Sequence, residues 1–70
     1  MAETELTGEE IEILTICYQK PGNVEEIAQE VGREPSHIQD VLNALAEKSM
    51  VVEKDGVWKT TSDGDGYMAD

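Results

Sequence analysis

Residues Val24 to Asn43 read VEEIAQEVGREPSHIQDVLN, and this stretch decides the fold. Ile27, Ala28 and Val31 precede Gly32 at the spacing of one buried helical stripe. Ile38, Val41, Leu42 and Leu45 then repeat an i, i+3, i+4, i+7 stripe. The spacing predicts a helix, a tight turn and a second helix whose apolar faces meet. Ala28 is small where two crossing helices must approach closely. Gly32 ends the first helix at a position where positive φ carries no steric cost.

Upstream, Asn23 can cap that first helix, and Glu26 supplies the second half of a capping box. Lys20-Pro21-Gly22 separates it from an earlier helix, because proline cannot continue a helix and glycine turns easily. The earlier helix starts at Thr7, with Glu10 three residues on to complete another capping box and Leu6 placed to staple onto Ile11. Residues Met1 to Glu5 are short and polar and are expected to be flexible.

Downstream, Arg33-Glu34 forms the turn and Pro35 fits the first turn of the next helix, where a missing N–H costs little. That helix should reach Lys48 or Ser49. Met50 to Lys54 and Val57 to Thr60 are β-prone runs joined by Asp55-Gly56, a pair suited to a two-residue type I′ hairpin turn. A two-residue loop sets Trp58 opposite Glu53, where it is expected to close the core and not to contact a ligand. Ser62 to Asp70 is rich in Gly and Asp and reads as an acidic disordered tail.

In the earlier helix, which starts at Thr7, Ile11, Ile13, Leu14, Ile16, Cys17 and Tyr18 cover an arc of roughly 220° at 100° per residue, wider than packing against one core needs. Two explanations follow. The helix is central and wrapped by the other elements, or Ile13 and Ile16 form a homodimer seam.

The pattern over Leu6 to Thr61 resembles the winged helix-turn-helix family. The resemblance rests on Ala28 with Gly32, Ile38 with Val41, the run Leu45 to Val51 leading into the hairpin, and Trp58-Lys59-Thr60-Thr61 closing it. It implies a mostly α domain of three helices plus a β-hairpin wing, spanning residues 6–61. Most members of that family bind DNA as transcriptional regulators, with the third helix in the major groove and the wing on the backbone, and some bind only proteins. By that likeness the contacting residues are Ser36, His37, Gln39, Asp40 and Asn43, with Arg33 and Lys54 near phosphates.

Charge complicates the DNA reading. The 70 residues carry 16 acids against 5 Lys and Arg, a net charge of −11. Projected on a helix, the face opposite Ile38, Val41, Leu42 and Leu45 is Ser36, Asp40, Asn43 and Glu47, and two of these four are acids. DNA binding draws most of its affinity from cations that neutralise phosphates, whereas this face brings carboxylates toward them. Arg33, Lys48, Lys54 and Lys59 are mixed with Glu30, Glu34 and Asp55 and make no basic stripe. An acidic proteome adapted to salt would show the same excess everywhere.

Other functions are poorly supported. His37 is the only histidine and Cys17 the only cysteine, so neither a His/Cys metal cluster nor a Cys-His pair assembles unless those two meet. Asp63-Gly64-Asp65-Gly66 opens like a calcium loop, but the loop glycine would fall on Met68 and the twelfth position lies past Asp70. No catalytic residue, metal or cofactor is therefore expected. One cysteine permits no intrachain disulfide, and no basic-then-apolar leader or membrane-length run is present, so a cytoplasmic protein is expected. The leading expectation is a regulatory module acting through a protein partner, by way of the acidic helix 3 face, including Glu47, or of the apolar surplus on the helix that starts at Thr7. The alternative is a DNA-binding transcriptional regulator whose partner, operator or ionic conditions offset the charge.

Overall fold

A computed structural model describes residues 5–69. Of the N-terminal segment expected to be flexible, all but Glu5 lies outside the described residues. The elements run α1 (Gly8–Gln19), α2 (Val24–Val31), α3 (Pro35–Glu47), β1 (Val51–Lys54), β2 (Val57–Thr60) and α4 (Ser62–Ala69).

Local chemistry sets most boundaries. Thr7 and Glu10 form a complete capping box, with Thr7 Oγ1 accepting from Glu10 N at 3.1 Å and Glu10 Oε1 accepting from Thr7 N at 2.9 Å. Asn23 and Glu26 do the same for α2, at 2.8 and 3.0 Å. Gly32 closes α2 in the left-handed region at φ 81°, its N–H bonded to Ala28 O at 2.8 Å. Pro35 opens α3 with no side-chain cap before it. Asp55 and Gly56 both take positive φ, 54° and 81°, as a type I′ turn requires.

The core is one cluster. Ile13, Leu14 and Cys17 of α1, Ile27 and Ala28 of α2, and Ile38, Val41, Leu42 and Leu45 of α3 are joined by Met50, Val51 and Trp58. Helix α3 packs on both α1 and α2, so the turn between α2 and α3 is held from both sides. The hairpin is antiparallel with Glu53 opposite Trp58 and Val51 opposite Thr60, and Trp58 is buried as expected. Gly22 extends it: Trp58 N donates to Gly22 O at 2.8 Å and Gly22 N donates to Trp58 O at 3.3 Å. The segment that stops α1 therefore also pairs with the edge of β2.

Two expectations are corrected. Ile13 is fully enclosed, because it sits mid-arc beside Cys17 and Leu14, so it is not available to a homodimer seam. Ile16 is half-buried, and the apolar groups left on the surface of α1 are Ile11 and Tyr18. The tail, expected to be disordered, forms α4 and covers part of α1. Thr61 anchors it: Thr61 N donates to Met50 O at 3.0 Å, Thr61 Oγ1 donates to Ser49 O at 2.5 Å, and Gly64 N donates back to Thr61 Oγ1 at 3.1 Å. Tyr67 and Met68 pack against the core, with Met68 Sδ 3.6 Å from Thr15 Oγ1. Four helices and a wing, not three, make the domain.

The glycines of α4 differ in what surrounds them. A Cβ on Gly64 would lie 2.2 Å from the Met50 carbonyl oxygen, whereas one on Gly66 would meet nothing within 4 Å. Gly66→Ala should thus gain up to about 1 kcal/mol from helix propensity. Gly64→Ala should lose about 1–3 kcal/mol from forced backbone displacement, with each kcal/mol worth roughly 4–8 °C in melting temperature. Thermal unfolding of the two variants checks this, and equal gains would show that α4 does not seat against Met50.

Candidate nucleic-acid interface

The outward face of α3 is fixed by its inward one. With Ile38, Val41, Leu42 and Leu45 buried, Ser36, Asp40, Asn43 and Glu47 are all exposed, as the helical projection requires. Gln39 is half-buried, and its Nε2 donates to Asn43 Oδ1 at 3.0 Å, one turn along. Ser36 and Gln39 also line a groove between the starts of α2 and α3 and the wing, with Asn23, Glu25, Glu53 and Trp58. The sequence gives no local signal for that groove, since its walls come from four separate elements.

His37 stands apart from the other expected contact residues. It is exposed, but its Nε2 is hydrogen-bonded to Glu9 Oε2 of α1, so its ring ties α3 to α1. Cys17 and His37 do not meet: the thiol is buried, and burial pushes its pKa up to about 11, which keeps it protonated and a poor nucleophile.

Apart from the exposed Lys20 at the end of α1, the cations divide into two groups. Lys48 at the end of α3 is committed to structure, with Nζ donating to Glu10 Oε1 and Oε2 at 2.9 and 3.1 Å. Arg33 in the turn and Lys54 and Lys59 in the wing are exposed. The register pairs Lys54 with Val57 and Lys59 with Val52. Cross-strand partners share a face, so both lysines stand on the hairpin face opposite Trp58, together with the exposed Val52 and Val57. The family resemblance named Lys54 but not Lys59. The pairing adds Lys59, which alternation along β2 sets on the side away from the core.

Three helices packed about α1, a turn closed by Gly32, and a hairpin wing beside the exposed face of α3 define a winged helix-turn-helix domain. The chain belongs to the TrmB family, sugar-specific transcriptional regulator TrmB, whose model matches residues 1–60. Solved structures agree on the fold. A mutant of ZitR from Lactococcus lactis matches with a TM-score of 0.83 at 16% identity, over 99% of this chain and 52% of that one. The Zalpha domain of ORF112 from Cyprinid Herpesvirus3, in a structure of its binding to Z-DNA, matches at 0.71 and 23% identity, over 81% of this chain and 100% of that one. IdeR from T. acidophilum matches at 0.65 and 19% identity, over 90% of this chain and 32% of that one. The chain thus spans about half the length of ZitR and about a third of IdeR. Comparison with curated proteins gives no match. Among the described residues no helix is long and apolar enough to cross a membrane.

The Glu10–Lys48 contact joins the start of α1 to the residue that ends α3. The Thr7 backbone N–H, first, and the Lys48 ammonium, second, hold the Glu10 carboxyl below the usual glutamate range, against the opposing effect of burial. A carboxylate whose folded pKa is depressed contributes stability that is present above its unfolded pKa and lost as pH falls through the folded one. Glu10→Gln should therefore cost about 1–2 kcal/mol at pH 7, discounted for a lysine that remains partly in water. The cost should shrink as pH falls below the usual glutamate range. Urea midpoints of both proteins at pH 7 and pH 3 measure it, and an unchanged difference would remove the charge from the explanation.

Proposed function

We propose that this chain is the DNA-binding domain of a transcription regulator, with α3 entering the major groove and the outer face of the wing lying on the backbone. The observation that carries this reading is membership, across residues 1–60, of a family of transcription regulators. The family description makes a sugar the signal to which such regulators answer, and for this chain that too is part of the proposal. The placement of Arg33, Lys54 and Lys59 supports it, since phosphate contacts fix register and orientation while base contacts specify. This reading departs from the expectation of a protein partner, which the family match does not favour.

The acid excess then becomes a statement about conditions. Asp40 and Glu47 lie on the helix that would face the bases, and a net charge of −11 repels the duplex as a whole. Repulsion of that kind reaches about 10 Å at 0.1 M salt and only about 3 Å at 1 M. Hydrogen bonds to base edges act at contact and survive. Binding is accordingly expected where salt is high.

A second reading keeps the acidic face as a docking surface for a basic protein, and the charge alone favours it. One experiment separates the two. A randomised duplex pool is presented to the wild type at 0.2 M and 2 M KCl, and affinity for any enriched sequence is followed between these limits. The DNA reading expects an enriched sequence whose affinity holds or rises with salt, unlike the steep fall of a cation-driven binder. Asp40→Lys with Glu47→Lys should bind random duplex at low salt and lose it steeply as salt is added. Failure of the wild type to enrich any sequence at either salt would sink the DNA reading and leave the protein partner.

A further inference from the structure

The exposed side of α3 carries a chemical selectivity that net charge conceals. From Pro35 to Glu47 the helix has no Arg or Lys, so the bidentate pair of donors that recognises guanine O6 and N7 is absent from it. Its one other strong donor, the His37 ring, is bonded to Glu9. What remains outward is Ser36, two acids, and the amides of Gln39 and Asn43.

Those amides are not independent. Gln39 Nε2 donates to Asn43 Oδ1 at 3.0 Å, and Gln39 is itself half-buried at the edge of the groove shared with the wing. The bond ends on Asn43 Oδ1. It uses one Oδ1 lone pair and leaves the second lone pair and both Nδ2 hydrogens free. An acceptor beside a donor is the complement of adenine in the major groove, where N6–H donates and N7 accepts. Guanine offers two acceptors on the same edge, so its O6 would oppose Asn43 Oδ1, and the nearby Asp40 carboxylate adds to that opposition.

We infer that Asn43, held in orientation by Gln39, reads an adenine in the major groove, and that α3 discriminates against guanine at that position. Asn43 is the contacting residue and Gln39 a positioning residue. The inference rests on the DNA-binding reading and adds to it the class of base selected.

The test starts from the duplex that the wild-type chain enriches from a randomised pool at high salt. Each base pair of that duplex is replaced in turn, and wild type is compared with Asn43→Ala. Asn43→Ala should abolish discrimination at one position only, and that position should be an adenine. Replacing that adenine by 7-deaza-adenine, which lacks the N7 acceptor, should weaken wild-type binding about five- to hundredfold and leave Asn43→Ala unaffected. Gln39→Ala should reduce the preference for adenine over guanine there while phosphate-driven affinity for other sequences stays unchanged, a pattern that lost stability would not give. Both substitutions place alanine on an exposed or half-exposed helical site, and circular dichroism verifies the fold. Loss of discrimination at a guanine, or at no position, would overturn the inference while leaving DNA binding intact. Absence of any enriched sequence would overturn the DNA reading, and the inference with it.

Discussion

The packing of α3's inner stripe against α1 and α2 is the constraint on which the rest of the structure depends. Ile38, Leu42 and Leu45 are wholly enclosed among residues of a single cluster that includes Ile13, Leu14, Ile27 and Ala28. Side chains recur at 100° on a helix, so fixing that stripe also fixes the direction of Ser36, Asp40, Asn43 and Glu47. Rotation of α3 by one residue one way would bury His37 and Asp40 and expose Leu42 and Leu45, at a cost of several kcal/mol for the unpaired carboxylate alone. Rotation the other way would bury the Gln39 and Asn43 amides and expose Ile38 and Leu45. The outward face is therefore as well determined as the core, although it touches little.

How much of this was legible in the sequence follows from which contacts are local. Both capping boxes, the left-handed Gly32 and the Asp55-Gly56 turn involve residues within a few positions of each other, and each stands where the pattern set it. The hairpin register then placed Trp58 against Glu53. What escaped depends on distant partners. Glu10 reads as a capping residue, and nothing nearby announces Lys48, 38 positions away. Gly22 reads as a helix stop, and only the position of β2 gives it a pairing partner.

The clearest miss, α4, has a physical cause. Its sequence, SDGDGYMA, has poor intrinsic helix propensity, so by itself it would not stay folded. Docking supplies what propensity lacks: Thr61 caps the first turn, Tyr67 and Met68 reach the core, and Gly64 permits contact with the Met50 carbonyl that any side chain would block. Composition that signals disorder in an isolated segment here reflects close approach. The same helix covers part of α1, where Met68 lies beside Thr15, and it leaves Ile11 and Tyr18 on the surface. The candidate site was legible in a similar, partial way. The α3 face followed from periodicity, whereas the engagement of His37 with Glu9 and the joint exposure of Lys54 and Lys59 needed the fold.

On the proposed reading, the separation of charge between α3 and the wing bears on specificity more than on affinity. Lysines on the outer wing face attract any duplex, while Asp40 and Glu47 repel any duplex, and both effects are blind to sequence. A regulator must find its site among a large excess of competing DNA, so the ratio of specific to non-specific binding matters more than either constant. Carboxylates beside the reading amides lower the non-specific term wherever hydrogen bonds to the bases cannot form. Where they can form, at the right sequence, close polar contacts offset the repulsion. An acidic recognition face is then compatible with DNA binding as a filter, provided that salt or the wing's cations bring the helix within reach of the groove.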